Sequence, residues 1–395
     1  MKILFVSPFL PYPGVPHAGG KLIYYFLSVL VRSHSVVLLS RIFPGEERHL
    51  RSLSEMLERV ETVPAEGPIR AGSLVSLLRT VASYRKLCLR ARILLRSERF
   101  DLCQVEYTET GVFFPRNPGV PVVLSCHDVI AKPAYRRYAG SHGISRLSTW
   151  AGWHVAMAAE RLAVGKFLRV FTLSDEDLEW AGRLYPEGSF RTLRYPAGIG
   201  FRGIARSPQD RRVLFVGALN RPQNRDGLQF FLREIWPSVH RNFPDAEFCV
   251  VGGGMDEDLR EELAVAPGGN AVGFVPEVEP YYASAAVFVA PILTGGGVIV
   301  KILDALSAGV PTVTTRYGNE GIRATHGKEI LVADTPKDFS AAVKFLLGDD
   351  AARNPIGEAG QRFVYDHFSE KTFSETIESA YQEATIEEDV CSRGR

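Results

Sequence analysis

Short apolar runs alternate with longer stretches of helical periodicity along the whole chain. KILFVSP, HSVVLLS, FDLCQVE, VPVVLSCHD and FLRVFTLS punctuate the first half, with amphipathic segments such as KLIYYFLSVLVRS between them. A run too short for a helix, rich in β-branched residues and followed by a 3.6-residue period, reads as a buried strand and its crossover helix. The second half restarts the rhythm with RRVLFVGA, AEFCVVGGG, NAVGFVP, AAVFVAPI and GVPTVTT, each followed by turn-forming residues. Between the halves, YPAGIGFRGIARSPQDRR has neither period and is rich in Gly, Pro and Arg, the composition of a linker. The pattern predicts an α/β protein with two doubly wound, Rossmann-like domains. Their expected bounds are 1–195 and 212–380, with a linker at 196–211 and a C-terminal tail at 381–395. Such sheets bind ligands beyond the carboxyl ends of their strands, so two of them facing across a cleft would enclose a ligand.

Composition adds little to that picture and charge adds more. With 395 residues, 46% hydrophobic and 23% charged, the chain suits two or three globular domains. The opening MKILFVSPFLPYPG ends its apolar run in prolines rather than a small-residue cleavage site, so it reads as a first strand and not as a secretion signal. No apolar run reaches the roughly 18 to 20 residues of a membrane span. The five cysteines, Cys88, Cys103, Cys126, Cys249 and Cys391, form no CxxC pair, which argues against a disulfide framework or a zinc site and for a cytoplasmic location. The net charge of +1 hides an asymmetry: residues 1–195 hold 26 Lys and Arg against 17 Asp and Glu, a balance of +9 that leaves −8 for the remainder. Within the basic half, segment 70–99 sets Arg79, Arg85, Lys86, Arg90, Arg92 and Arg96 beside leucines at helical spacing. That pattern fits either a solvated basic helix or peripheral contact with an anionic membrane. Aromatic interleaving and any nucleic-acid module are missing, so no nucleic acid is expected as a partner.

The richest chemistry lies in TGGGVIVKILDALSAGVPTVTT, residues 294–315. A strand ends at 292, a glycine turn follows, and a helix is predicted from Val298 to Ala308, stopped by Gly309 and Pro311. Gly295, Gly296 and Gly297 let an anion approach the main chain, where the unpaired N–H groups of a helix N-terminus favour it. Lys301 adds a point charge to the same phosphate, and Asp304, three residues on, shares its helix face and suits a ribose diol. The plainer reading is a tight turn with a solvated Lys/Asp pair. The acidic clusters SDEDLEW at 174–180 and MDEDLREE at 255–262 read as helix starts rather than metal ligands.

These stretches carry a family resemblance. The opening ILFVSPFLPYPGVPHAGG, CHDV at 126–129, FTLSDEDLEWAG at 171–182, VLFVGALNRPQN at 213–224, GFVPEVEPYYASAAVFVAPI at 273–292 and the glycine–lysine–aspartate block together resemble GT-B-type glycosyltransferases. The similarity is to the retaining family that builds polysaccharides and glycolipids from nucleotide-activated sugars, and it extends over nearly the whole chain. It implies a nucleotide-sugar donor, a glycan or lipid-linked acceptor, and no cofactor or metal. For donor binding it points to Gly217, Arg221, Asn224, Val275, Gly295, Gly296, Gly297, Val298, Lys301 and Asp304, with Lys301 and His127 as catalytic groups. Two departures stand out: Gly296 occupies a position where many members carry Glu, and the ribose acid is Asp rather than Glu.

His127 ends the apolar strand VPVVLSC, where it is either a structural hydrogen-bonder or, by the resemblance, a contact for the donor sugar or leaving phosphate. Asp128 is expected to orient it or to cap the next turn. His17, Gly19 and Gly20 read as an acceptor-side loop, or simply as a turn made permissive by Gly and Pro, ahead of a helix at 21–32; Glu106 joins them at another strand end, with a helix-capping or ion-pair role as its other reading. Arg221 is open to a second reading as surface charge. An epimerase, a phosphorylase or a catalytically silent nucleotide-sugar-binding protein would use the same fold. Peripheral attachment at the inner face of the membrane would follow if segment 70–99 docks there.

Overall fold

The computed structural model describes residues 1–15, 18–65, 74–201, 203–209, 211–294 and 297–393. They form two compact units: Met1–Pro196 with Glu370–Arg395, and Ala197–Ser369.

In the first unit the described strands are β1 (Lys2–Ser7), β2 (Ser35–Ile42), β3 (Arg59–Pro64), β4 (Leu102–Glu106), β5 (Val122–Cys126), β6 (Arg169–Thr172) and β7 (Phe190–Thr192). They lie parallel in the order β3-β2-β1-β4-β5-β6-β7, with Leu4 of β1 level with Val37 and Cys103 of its neighbours. The helices are α1 (Ala18–Leu30), α2 (Leu50–Met56), α3 (Leu74–Ser97), α4 (Thr108–Phe113), α5 (Ala131–Ala139), α6 (Ser145–Val164) and α7 (Asp175–Leu184). The chain steps outward from β1 to β3, then returns past β1 and steps the other way. Right-handed crossovers therefore put α1 and α2 on one face and α3 to α7 on the other. Strand alternation feeds both layers. Leu4 and Val6 share a core with Leu87, Ala91 and Leu94 of α3 and Ala163 and Val164 of α6. Phe5 meets Phe26 of α1 edge-on, with ring centroids 5.2 Å apart.

Two expectations need correction here. Gly19 and Gly20 lie in the first turn of α1 rather than in a loop, and the helix runs Ala18–Leu30 instead of 21–32. Glycine is a poor helix former, but Gly20 is buried, and packing overrides that propensity. His17 lies outside the described residues. The second correction concerns the C-terminus, where the second unit ends at Ser369 and the expected tail is part of a helix, Glu370–Arg393, that belongs to the first unit. Phe373, Ile377, Ala380, Tyr381 and Ala384 form its buried stripe. Phe373 packs on Phe26 at 4.8 Å, and the Tyr381 hydroxyl donates to Gln104 Oε1 at 2.9 Å. The helix covers the α1 face of the sheet, which would otherwise leave apolar side chains in water.

The second unit has described strands β8 (Arg212–Val216), β9 (Glu247–Val251), β10 (Gly269–Gly273), β11 (Val287–Ala290), β12 (Thr312–Thr314) and β13 (Leu331–Val332), parallel in the order β10-β9-β8-β11-β12-β13. Its helices are α8 (Pro222–Phe230), α9 (Trp236–Asn242), α10 (Glu257–Val265), α11 (Glu279–Ser284), α12 (Val300–Ser307), α13 (Arg316–Asn319), α14 (Pro336–Gly348) and α15 (Asp350–His367). Again the strands feed two cores, Val213 and Phe215 of β8 joining one and Leu214 the other, which also holds Ile302, Leu303 and Leu306 of α12. Both acidic clusters are helix starts: Ser174 accepts from the Asp177 N–H and Asp256 from the Leu259 N–H, each at 3.1 Å.

Candidate functional site

In the second unit the site is built on the turn that follows β8 and on the first turn of α12. Gly217 follows β8, and its N–H donates to Val251 O at 3.0 Å. A Cβ on Gly217 would come within 3.1 Å of the Asn224 amide and 3.3 Å of Lys301 Nζ, so glycine is there for space. Gly252, at φ +151°, is set against the same turn, and a Cβ on it would lie 1.8 Å from Gly217 O. Asn224, in the first turn of α8, donates from Nδ2 to Ala218 O and accepts from Lys301 Nζ through Oδ1, both at 2.9 Å. The Lys301 ammonium also stands 4.7 Å from the centroid of the buried Phe215 ring.

Thus three residues from separate parts of the sequence, Gly217, Asn224 and Lys301, come together. Lys301 is partly exposed as a residue, yet desolvation of its ammonium brings the pKa down from 10.5 to about 7. An amide oxygen and a ring face are weak company for a cation, and among the described residues no carboxylate neutralises it. This is a lysine poised to gain from an anion.

The helix behind it starts two residues later than expected, at Val300, with extended Ile299 at its N-cap. Neither a capping side chain nor an acidic residue competes for its first turn, although the Ile302 N–H already donates to Ile299 O at 3.0 Å. Gly297 is buried at φ +77° and its carbonyl faces Gly321, where a Cβ would approach it to 2.3 Å. Gly295 and Gly296 lie outside the described residues. Val298 and Val275 are partly buried against the α12 core. Asp304 is half-buried one turn after Lys301. Arg221 is exposed at the N-cap of α8 without a capping bond from its side chain.

The first unit holds the other candidate. His127 follows β5 and is 5% exposed. Its Nε2 lies 2.7 Å from Oε2 of Glu106, the last residue of β4. Glu106 is fully buried rather than part of a loop. It also accepts from the Tyr195 hydroxyl and Gln104 Nε2, each at 2.8 Å. The orienting carboxylate is therefore Glu106 and not Asp128, because neighbouring parallel strands bring Glu106 alongside Ser125, just ahead of His127. Tyr107, at φ +69°, stacks on the imidazole at 3.9 Å and 3°. With Nε2 engaged, Nδ1 is the ring nitrogen without a partner among the described residues. Phe215, Gly252, Tyr107 and Tyr195 were invisible as site residues, since only strand adjacency and folding of the loops reveal them.

Two family models match this chain, a glycosyl transferase 4-like domain over residues 27–195 and glycosyl transferases group 1 over residues 210–349. Both matched regions are glycosyl transferase domains, and together they take in most of the chain. The boundary between the two matches falls between the two sheets, so each Rossmann-like unit corresponds to one matched domain. Among curated proteins, an uncharacterized 44.6 kDa protein in the cps region of Klebsiella pneumoniae is 29% identical over 41% of this chain and 44% of its own. A phosphatidyl-myo-inositol mannosyltransferase of Mycolicibacterium smegmatis is 30% identical over the same shares. The match thus spans less than half the length of these relatives. Solved structures extend the likeness of fold to nearly the full chain. Sucrose-phosphate synthase from Thermosynechococcus elongatus superposes with a TM-score of 0.71 at 14% identity, covering 97% of this chain and 99% of that one. HepE of Anabaena, in complex with UDP and glucose, gives 0.66 at 16% identity over 97% and 100%. The architecture is that of the GT-B enzymes.

Proposed function

We propose that this glycosyltransferase moves a sugar from a nucleotide-diphosphate donor to an acceptor hydroxyl with retention of configuration. The observation that carries the reading is the desolvated Lys301 ammonium, held by Asn224 at an uncapped helix N-terminus. UDP and glucose in HepE support the donor class. The diphosphate lies against the turn at 295–297 and Lys301, and Asp304 accepts from the ribose hydroxyls. As the bond from the anomeric carbon to the phosphate oxygen breaks, negative charge grows on the leaving diphosphate, where Lys301 and main-chain N–H groups stabilise it. The acceptor oxygen bonds to the same face of that carbon, and its proton passes to the departing phosphate. No protein nucleophile enters this scheme, consistent with Gly296 in place of Glu. Nor is a metal invoked, since ammonium and amides supply the positive charge. His127, fixed by Glu106, offers Nδ1 to a sugar hydroxyl or to the leaving phosphate.

Glycan and lipid-linked acceptors both suit the reading, the latter supported by the mannosyltransferase relatives, whose names carry a phosphatidylinositol. The assignment includes a cytoplasmic location and docking of α3 on an anionic inner membrane face. The test is a panel of nucleotide sugars with and without candidate acceptors, following nucleotide release and the anomeric configuration of the product. Transfer with retention is the expected result. An inverted product would overturn the stereochemical scheme, and no turnover with any donor would favour a silent binding protein.

A further inference from the structure

The outer face of α6 is apolar along its full length. Ile144, just before the helix, and Leu147, Ala151, Val155, Ala158 and Leu162 are all exposed, the four larger ones by 91%, 73%, 69% and 54%. At 3.6 residues per turn these six positions fall within an arc of about 80° on a helix about 30 Å long. The opposite face is already used: Trp153 and Met157 pack on the core that Ala163 and Val164 enter. Trp150, 47% exposed, stands on the shoulder of the stripe. An amphipathic helix normally turns its apolar stripe inward, and this one has a second stripe that no described residue covers.

Charge decides what covers it. From residue 129 to residue 174 the chain contains a single acid, Glu160. That carboxylate is buried, accepting from the N–H groups of Ile130 and Ala131 and from the Tyr185 hydroxyl. The same stretch carries Arg136, Arg137 and Arg146, and also Arg161, whose guanidinium is paired with Glu187 at 2.7 Å. Anionic headgroups would complement this surplus of arginine and accept the apolar residues and the tryptophan beneath, whereas a second copy of the chain would bring only the same surplus. The fold adds a second helix on the same side. Helices α3 and α6 lie on one face of the sheet, both in contact with α4 between them, and α3 exposes Leu78, Leu89 and Ile93 near Arg85, Lys86 and Arg92. No helix among the described residues is long and apolar enough to cross a membrane, so the contact would be peripheral.

We propose that the exposed stripe of α6 docks the first unit on an anionic bilayer, with α3 as its cationic flank. The lipid-acceptor reading supplies the purpose of this contact, but binding is measured without an acceptor, so the two can fail separately. The test is co-sedimentation of the full chain with phosphatidylcholine vesicles, with and without phosphatidylglycerol, at low and high salt. The parent is expected to bind the anionic vesicles. Combined Ile144→Asn, Leu147→Asn and Val155→Asn, all at exposed positions, should lower the partition coefficient at least tenfold while circular dichroism and UDP affinity stay as in the parent. Arg136→Gln with Arg137→Gln and Arg146→Gln should flatten the salt dependence. The inference is overturned if the parent ignores anionic vesicles, or if the asparagine variant binds like the parent. It is equally overturned if only Arg85→Gln, Lys86→Gln and Arg92→Gln release the protein, or if sedimentation velocity shows a parent dimer that the asparagine variant dissociates. Loss of UDP binding by the parent would instead strike the donor reading and leave this one standing.

Discussion

Lys301, the candidate diphosphate ligand, is held at a cost to the fold. Its pKa of about 7 lies below its ordinary 10.5, so at pH below 7 the folded and unfolded chains both carry the charge and the full cost of desolvating it is borne. Between pH 7 and 10.5 the unfolded chain holds more protons, and stability without ligand rises with pH. Lys301→Met should flatten that slope in denaturant titrations across pH 7 to 10. A bound diphosphate reverses the balance by favouring the ammonium, so nucleotide affinity should fall as pH rises above 7. Calorimetry in buffers of different ionisation enthalpy should show proton uptake on binding. Lys301→Ala should lower turnover at least tenfold, about 1.4 kcal/mol in barrier height, with the fold intact by circular dichroism and no loss of stability. Asp304→Asn should weaken UDP and UDP-sugar alike, and equal affinities by calorimetry would reduce Asp304 to a helix residue. Glu106 acts at one remove. Glu106→Ala strands three donors and should cost about 3 kcal/mol of stability. Glu106→Gln should keep the fold, lower kcat more than it raises KM, and shift the pH–rate profile, because an amide holds the imidazole differently from a carboxylate.

Among the elements, the turn after β8 depends on the glycines that end β9. Gly252 has a positive φ and no room for a Cβ beside Gly217 O. Gly252→Ala therefore combines backbone strain with overpacking, each of order 1 to 3 kcal/mol, and should destabilise the second unit by about 3 kcal/mol in chemical denaturation. Nucleotide affinity should drop with it, because Gly217 and Asn224 move with the turn that holds Lys301. The GGG at 252–254 thus has a packing role beside the GGG at 295–297. The two look alike as strings, and the difference lies in what faces each. Gly254, also at positive φ, would place a Cβ 2.8 Å from Asn220, whereas Gly297 precedes a helix whose first turn has no capping side chain.

On the scale of the whole molecule, the chain leaves the first unit at Pro196, completes the second and returns at Glu370. The returning helix supplies Phe373 to the Phe26 and Tyr195 rings, and Tyr381 to Gln104, which in turn donates to Glu106. A stop after Ser369 should therefore damage the distant first unit and spare the second. Two-stage unfolding with early loss of the first unit is expected by limited proteolysis, while UDP binding persists. Loss of the second unit first would contradict the division. The hydrogen-bonded line from Tyr381 through Gln104 and Glu106 to His127 makes the C-terminus a support of the candidate catalytic histidine.

The sequence by itself determined the class of fold, because buried parallel strands need continuous apolar runs and their crossover helices a 3.6-residue period, and both periods survive in a linear reading. It also singled out the glycines at 295–297, Lys301 and Asp304 as candidates, because they lie within ten residues and their relation is one of local helix geometry. Tertiary structure decided whatever depends on residues far apart in the chain. Strand adjacency set Glu106 against His127, where sequence proximity had pointed to Asp128. Loop packing set Asn224 and Phe215 around Lys301 and so lowered its pKa. The stripe Phe373, Ile377, Tyr381 and Ala384 ran into what read as a C-terminal tail at 381–395, because a period states that a face must be buried and leaves its partner open. The same limit hid the second stripe of α6, whose residues look like core in a string of letters until the fold has assigned every core position to other side chains.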